Sequence, residues 1–156
     1  MLTLNQYTAE YHSGPHEVHS YPEAASQSFK KGEFVYLVDG KVTVCASDGV
    51  VIWGLALEDA SGTTDTEISV LVANPETRFI ASVYHSTAAL ALSGVANVGV
   101  KYGLMVSSNK HYVDIEDTTN DAFVIVERGP DAATDEYGKC IFKVIAAALQ
   151  TDAAAT

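Results

Sequence analysis

Phe34-Val35-Tyr36-Leu37-Val38-Asp39-Gly40-Lys41-Val42-Thr43-Val44-Cys45 is the stretch whose reading decides the fold class. Four of its first five residues are β-branched or aromatic, the side chains that fit a pleated, half-buried surface. Asp39-Gly40 is one of the residue pairs that best supply positive φ in a two-residue hairpin turn. After it, Val42 and Val44 fall on one face and Lys41 and Thr43 on the other, an alternation with the period of a strand. The stretch reads as an antiparallel hairpin.

Working outward, the same pattern recurs about every ten residues. Asp48-Gly49 turns the chain into an apolar strand over 50–57, which carries the only tryptophan, Trp53. Residues 60–66 are a loop by composition. A strand over 67–73 has Ile68, Val70 and Val72 on its buried face. Asn74-Pro75-Glu76 turns it into a strand over 77–83, with Phe79, Ala81 and Val83 on one side. Residues 86–94 are rich in alanine and leucine and are expected to form a short helix, with Gly94 and the valines after it breaking the pattern. Further strands are expected over 103–107, 111–116 and 122–127, then a loop over 129–138 and a strand opening the segment 139–149. This spacing suits a barrel or sandwich rather than βαβ units. The predicted fold is all-β: an antiparallel barrel or sandwich over 29–150, an extended N-terminal arm over 1–28, at most one short helix, and a flexible tail over 151–156.

Composition narrows the function. A chain of 156 residues buries roughly two-thirds of its unfolded surface and needs neither metal nor disulfides to hold a core. With 20 acidic residues against 9 basic ones, the net charge of −11 repels phosphate backbones, so no nucleic-acid partner is expected. Cys45 and Cys140 each lie inside apolar runs and read as buried thiols. Residues 1–21 have no apolar core preceded by basic residues, and no stretch is long enough to span a membrane, so synthesis in a cytosol and no membrane partner are expected.

Two constellations could carry metal chemistry. His12, His16 and His19 have a spacing that would share one helix face, but Gly14 and Pro15 argue against a helix there, and an exposed arm with neutral histidines is the plainer reading. Asp114, Glu116, Asp117 and Asp121 cluster about a predicted turn, without the glycine and terminal glutamate of a twelve-residue calcium loop, and read as a solvated hairpin end. No nucleophile elbow, phosphate loop or catalytic cysteine pattern occurs. No catalytic residue, metal ligand or cofactor is therefore assigned. The arm is more informative. Leu2, Leu4, Tyr7, Tyr11 and Tyr21 are large groups that the arm has no core of its own to bury. They are the candidate contacts to a partner or a neighbouring copy, with packing back on the chain's own barrel as the alternative.

The segment Ile52-Trp53-Gly54-Leu55-Ala56-Leu57-Glu58-Asp59-Ala60-Ser61-Gly62-Thr63-Thr64-Asp65-Thr66-Glu67 resembles one found in small structural proteins of tailed bacteriophages. So does the strand from Ile68 leading into Ala73-Asn74-Pro75-Glu76-Thr77-Arg78-Phe79. In the C-terminal half, Val98-Gly99-Val100-Lys101-Tyr102-Gly103, Thr119-Asn120-Asp121-Ala122-Phe123, Asp135-Glu136-Tyr137-Gly138-Lys139 and Ile145-Ala146-Ala147-Ala148-Leu149-Gln150 are similar too. The resemblance covers about residues 30–150 and rests on overall pattern; residues 1–29 lie outside it. It is to head-associated proteins, several of them capsid decoration or cement proteins. It implies a non-enzymatic virion protein on the capsid exterior, bound to the major capsid protein and to copies of itself, with a trimer favoured. The alternatives are a head fibre base or a receptor- or glycan-binding virion module, which exposed aromatic loops near Tyr84 or Tyr112 would favour. A small β-barrel metalloenzyme using the arm histidines comes third.

Overall fold

In the computed structural model, which describes residues 8–151, the hairpin read from sequence is formed by strands β3 (Phe34–Val38) and β4 (Lys41–Val44). Val38 pairs with Lys41, which leaves Asp39 and Gly40 as a two-residue turn with φ of 50° and 77°. Positive φ at both positions twists the turn in the sense the strands require. Glycine carries the larger positive angle without steric cost.

The remaining strands are β1 (Glu10–Ser13), β2 (Val18–Pro22), β5 (Gly54–Ala56), β6 (Glu67–Val72), β7 (Arg78–Tyr84), β8 (Lys101–Ser107), β9 (Lys110–Asp114), β10 (Phe123–Arg128) and β11 (Lys139–Val144). They make two sheets. One runs β1-β7-β11-β10-β8-β9, and β9 returns to pair in parallel with β7 through Val83–Val113 and Tyr84–Asp114. That closes β7, β11, β10, β8 and β9 into a five-stranded barrel. The other runs β2-β6-β5-β3-β4, and a bridge between Glu23 and Val42 draws its two outer strands together. The protein is all-β, as its sequence indicates. Among the described residues no helix is long and apolar enough to cross a membrane.

The central strands of the second sheet, β5 and β6, are buried on both faces, which explains why β6 reads as a nearly continuous apolar run. Phe34, Leu55 and Leu71 face the barrel core; Val35, Val42, Ala56, Ile68 and Val70 enclose a smaller core around Phe29. Phe34 lies at the centre of a phenylalanine cluster, with ring centroids 5.2 Å from Phe79, 5.2 Å from Phe123 and 6.1 Å from Phe142. Such pairs contribute about 0.5–1.5 kcal/mol each beyond burial. Phe79, Ala81 and Val83 all point into this core, as their alternation requires. Cys45 and Cys140 are buried free thiols, and burial pushes both well above the ordinary thiol range.

Three segments depart from their expected form. The strand expected over 50–57 is ordered as β-ladder only at 54–56; Ile52 instead bridges Leu149 beyond the end of β11. Residues 86–94 form one 3₁₀ turn, Ala88–Leu90, because none of its three side chains has a core to face. The segment 8–28 also has no sequence period, yet it supplies a strand to each sheet. β1 pairs with β7 and β2 with β6. The link between them is tied down at Gly14, whose φ is 89° and where an added Cβ would lie 2.2 Å from the Glu76 carbonyl oxygen. Thr77 Oγ1 donates to the Pro15 carbonyl at 3.0 Å beside it.

Candidate functional site

Of the five expected contact residues, Leu2, Leu4 and Tyr7 lie outside the described residues. Tyr11 and Tyr21 are half-buried and pack against the chain's own cores. The Tyr11 hydroxyl donates to the Gly14 carbonyl at 2.7 Å, and the Tyr21 ring meets Trp53 edge-on at 5.7 Å. Tyr84 is half-buried and Tyr112 is buried, their ring centroids 6.2 Å apart, so neither is a loop aromatic open to solvent.

The arm histidines do not converge. His12 bonds to Ser13, His16 lies edge-on to Tyr11, and His19 is held by Glu17 at 2.9 Å. The acidic turn is partly rearranged by distant chain. Asp114 and Asp117 meet Asp48, from the turn after β4, with carboxylate oxygens all within 4.8 Å of one another. Glu116 turns away to accept from the Ser86 N–H and hydroxyl. A hydrogen bond between the carboxyls of Asp48 and Asp117 holds Asp48 above its ordinary value. Backbone donation from Asn120, with further bonds from Thr119, the Asn120 side chain and Asp48, holds Asp117 below its own. Burial, then neighbouring carboxylates, raises Asp114 as well. The oxygen-only donor set is of a type suited to hard cations. Asp48 is the member that sequence reasoning missed, because only the fold brings its turn to β9.

The most distinctive surface is elsewhere. From Ser86 to Val100 the chain carries no charged residue, although the protein as a whole has a net charge of −11. Three aliphatic side chains stand out from it: Leu90 is 56% exposed, Val95 74% and Val98 40%. Val95 and Val98 bracket a second 3₁₀ turn, Val95–Asn97, and residues three apart in such a turn lie one above the other.

This segment is not loose. Its start is fixed by the bonds of Ser86 to Glu116, which hold that carboxyl below its ordinary value. Its middle is pinned to the loop before β11 and to the end of β10: Leu92 bridges Glu136, the Tyr137 N–H donates to the Ala91 carbonyl at 2.6 Å, and Arg128 Nε, from β10, donates to the Ser93 carbonyl at 3.0 Å. Its end is closed by Asn97, which accepts from the Gly94 N–H at 2.9 Å and donates to the Tyr102 hydroxyl at 2.9 Å. The Gly99 N–H then joins Ile125 of β10 at 2.7 Å. The result is an uncharged apolar surface whose backbone is already ordered, so a partner that covers it has little backbone entropy to remove. The signal visible in the sequence was the long interval without charge, which its alanine and leucine content disguised as a helix.

No protein-family model matches the chain, and no curated protein matches it in sequence.

Proposed function

We propose that the protein is a virion structural protein that binds the outer surface of a phage capsid and stabilises the shell by bridging major capsid protein subunits. The observation that carries the reading is the rigid, uncharged segment 86–100, with Leu90, Val95 and Val98 exposed on an otherwise acidic protein. The sequence resemblance over residues 30–150 supports it independently. Isolated exposed aliphatics are ordinary, but an ordered segment that presents several of them without charge is a surface of the kind partners cover.

Bridging needs no chemistry. Each copy that binds the assembled shell and not its separated subunits shifts the equilibrium toward the shell by mass action. Many such copies multiply a modest interface. The acidic surface keeps the protein from competing for packaged DNA. Self-association at shell symmetry axes belongs to the same reading. Purified protein added to expanded capsids that lack it should co-sediment in stoichiometric amounts and raise the temperature at which the shells open. Absence of binding to such capsids rejects the reading.

A further inference from the structure

The second sheet carries an open groove of about 500 Å³ bordered by Glu17, His19, Tyr21, Trp53, Asn74 and Thr151. Tyr21 and Trp53 stand at 88° to each other with centroids 5.7 Å apart, so their rings form an aromatic corner. Both rings are backed by the smaller core, which keeps the corner rigid. Facing it is a polar edge already in place. The Glu17 carboxylate accepts from Asn74 Nδ2 at 3.1 Å and bonds His19 Nε2 at 2.9 Å, and those two bonds hold it below its ordinary range. The ring of His19 in turn lies 6.4 Å from that of Tyr21.

From this juxtaposition we infer that the groove binds a neutral carbohydrate. A sugar ring has an apolar C–H face and a circumference of hydroxyls. The aromatic corner supplies large, rigid apolar area with amphipathic rings, and the edge supplies acceptor and donor groups whose geometry is set before binding. No lysine or arginine lines the groove, and Glu17 is anionic, so phosphorylated or carboxylated ligands are repelled. A small organic cation would find only two rings where a cage would need to surround it. The groove is open rather than deep, which fits one face of an oligosaccharide better than a fully enclosed monomer. It belongs to the second sheet, whereas segment 86–100 belongs to the barrel side, so this inference does not depend on capsid binding.

Trp53 is the only tryptophan, so its fluorescence reports on this groove alone. The full chain is titrated with maltohexaose, cellohexaose and N-acetylchitohexaose to millimolar concentration, following Trp53 emission and amide shifts. At least one is expected to give a saturable emission change, with amide shifts confined to residues 17–22, 53, 72–74 and 151. Glu17→Gln and Asn74→Ala, both on the exposed edge, should each weaken that binding by about tenfold, the loss of one or two hydrogen bonds to charged or polar groups, while leaving the melting temperature nearly unchanged. The inference is overturned if none of the three sugars gives a saturable change. It is also overturned if the two variants bind as the parent does, or if tetramethylammonium binds and the sugars do not.

Discussion

His111 donates its Nε2–H to a Glu33 carboxylate oxygen 3.1 Å away, and both side chains are shut off from water. The tautomer follows from the neighbours. The Phe34 N–H donates to His111 Nδ1 at 2.9 Å, so Nδ1 is the acceptor and Nε2 carries the proton. Glu33 also accepts from the Lys30 N–H at 2.6 Å and from Asn109 Nδ2 at 3.1 Å. A neutral imidazole and an anionic carboxylate thus tie β3 of the second sheet to β9 of the barrel. Protonating Nδ1 would set two donors against each other at Phe34.

That arrangement sets an acid limit on stability. Burial, outweighing the pull of Glu33, holds His111 below its ordinary 6.5. Burial alone would raise Glu33, but the bonds from His111, Lys30 and Asn109 outweigh it and hold the carboxyl below its ordinary 4.5. For both groups the unfolded chain binds a proton at higher pH than the folded one, so stability is lost as pH falls. The His111 contribution declines first, below about 6.5. The Glu33 contribution follows below about 4.5, where Asp48 and Asp114, held above their ordinary 3.8, work in the opposite direction. Thermal melts from neutral pH down to about pH 5 should show a falling midpoint. His111→Gln should melt lower at neutral pH and show a flatter slope over the same range. An equal slope in both proteins would remove His111 from the account.

A second buried carboxylate organises the loop after β5. Glu23 is fully buried and accepts from the Ser61 N–H at 2.9 Å, the Ser61 hydroxyl at 2.8 Å and the Gly62 N–H at 2.8 Å. Its own N–H donates to Thr66 across the same loop at 2.8 Å. Glu23→Ala leaves those donors facing a cavity and should cost about 3 kcal/mol. That is roughly 6–12 °C in melting midpoint for a domain of this size. Hydrogen exchange should quicken at the Ser61 and Gly62 amides before it does at β6. A midpoint within about 1 °C of the parent would mean that the loop holds its shape without Glu23.

What the sequence revealed and what it concealed divide on physical lines. Asp39-Gly40 was readable because turn chemistry is local: the two residues alone select the backbone angles. Phe79, Ala81 and Val83 were readable because one face of β7 meets one core. β1 and β2 were not, because their partners lie in β7 and β6, far along the chain, and half-exposed Tyr11 and Tyr21 leave no alternation to detect. The aromatic corner was hidden for the same reason, since Tyr21 and Trp53 meet only once β2 joins the second sheet. The interval 86–100 shows the reverse case. Its composition suggests a helix, but a helix there would have no core to bury its apolar stripe, and hydrogen bonds from the loop before β11 hold it as 3₁₀ turns instead.

Gly54 tests how closely the second sheet is packed. It sits on the central strand β5, and an added Cβ would come 2.2 Å from the Leu71 carbonyl oxygen and 2.8 Å from Val70 Cγ1. The first neighbour is backbone in a paired strand and cannot step aside without breaking the ladder. Gly54→Ala should therefore destabilise by about 3 kcal/mol or leave little soluble protein, in the range of severe overpacking. Gly40→Ala is the contrast. Nothing lies within 4 Å of its added Cβ, and only the positive φ of 77° opposes it, so its cost should be about 1 kcal/mol. Denaturant melts of the two variants decide the point, and equal losses would show that strand packing at Gly54 yields more readily than the geometry implies.

The capsid reading makes a demand on specific side chains. If segment 86–100 is the docking surface, a charge placed on it must be desolvated on binding without a partner. Leu90→Asp and Val95→Asp should each weaken capsid binding by more than about tenfold, the scale of a residue at the centre of an interface. Both side chains are exposed and contribute nothing to the buried cores, so the melting temperature should change little, as for surface substitutions generally. Val50→Asp provides the control. Val50 is 45% exposed but lies after the β4 turn, outside the uncharged interval, so the same charge there should leave binding intact. Co-sedimentation of the three variants with expanded capsids separates the outcomes. Equal loss in all three would point to net charge rather than to a surface. Loss in none would place the contact away from segment 86–100, and the proposed interface would have to be sought elsewhere on the chain.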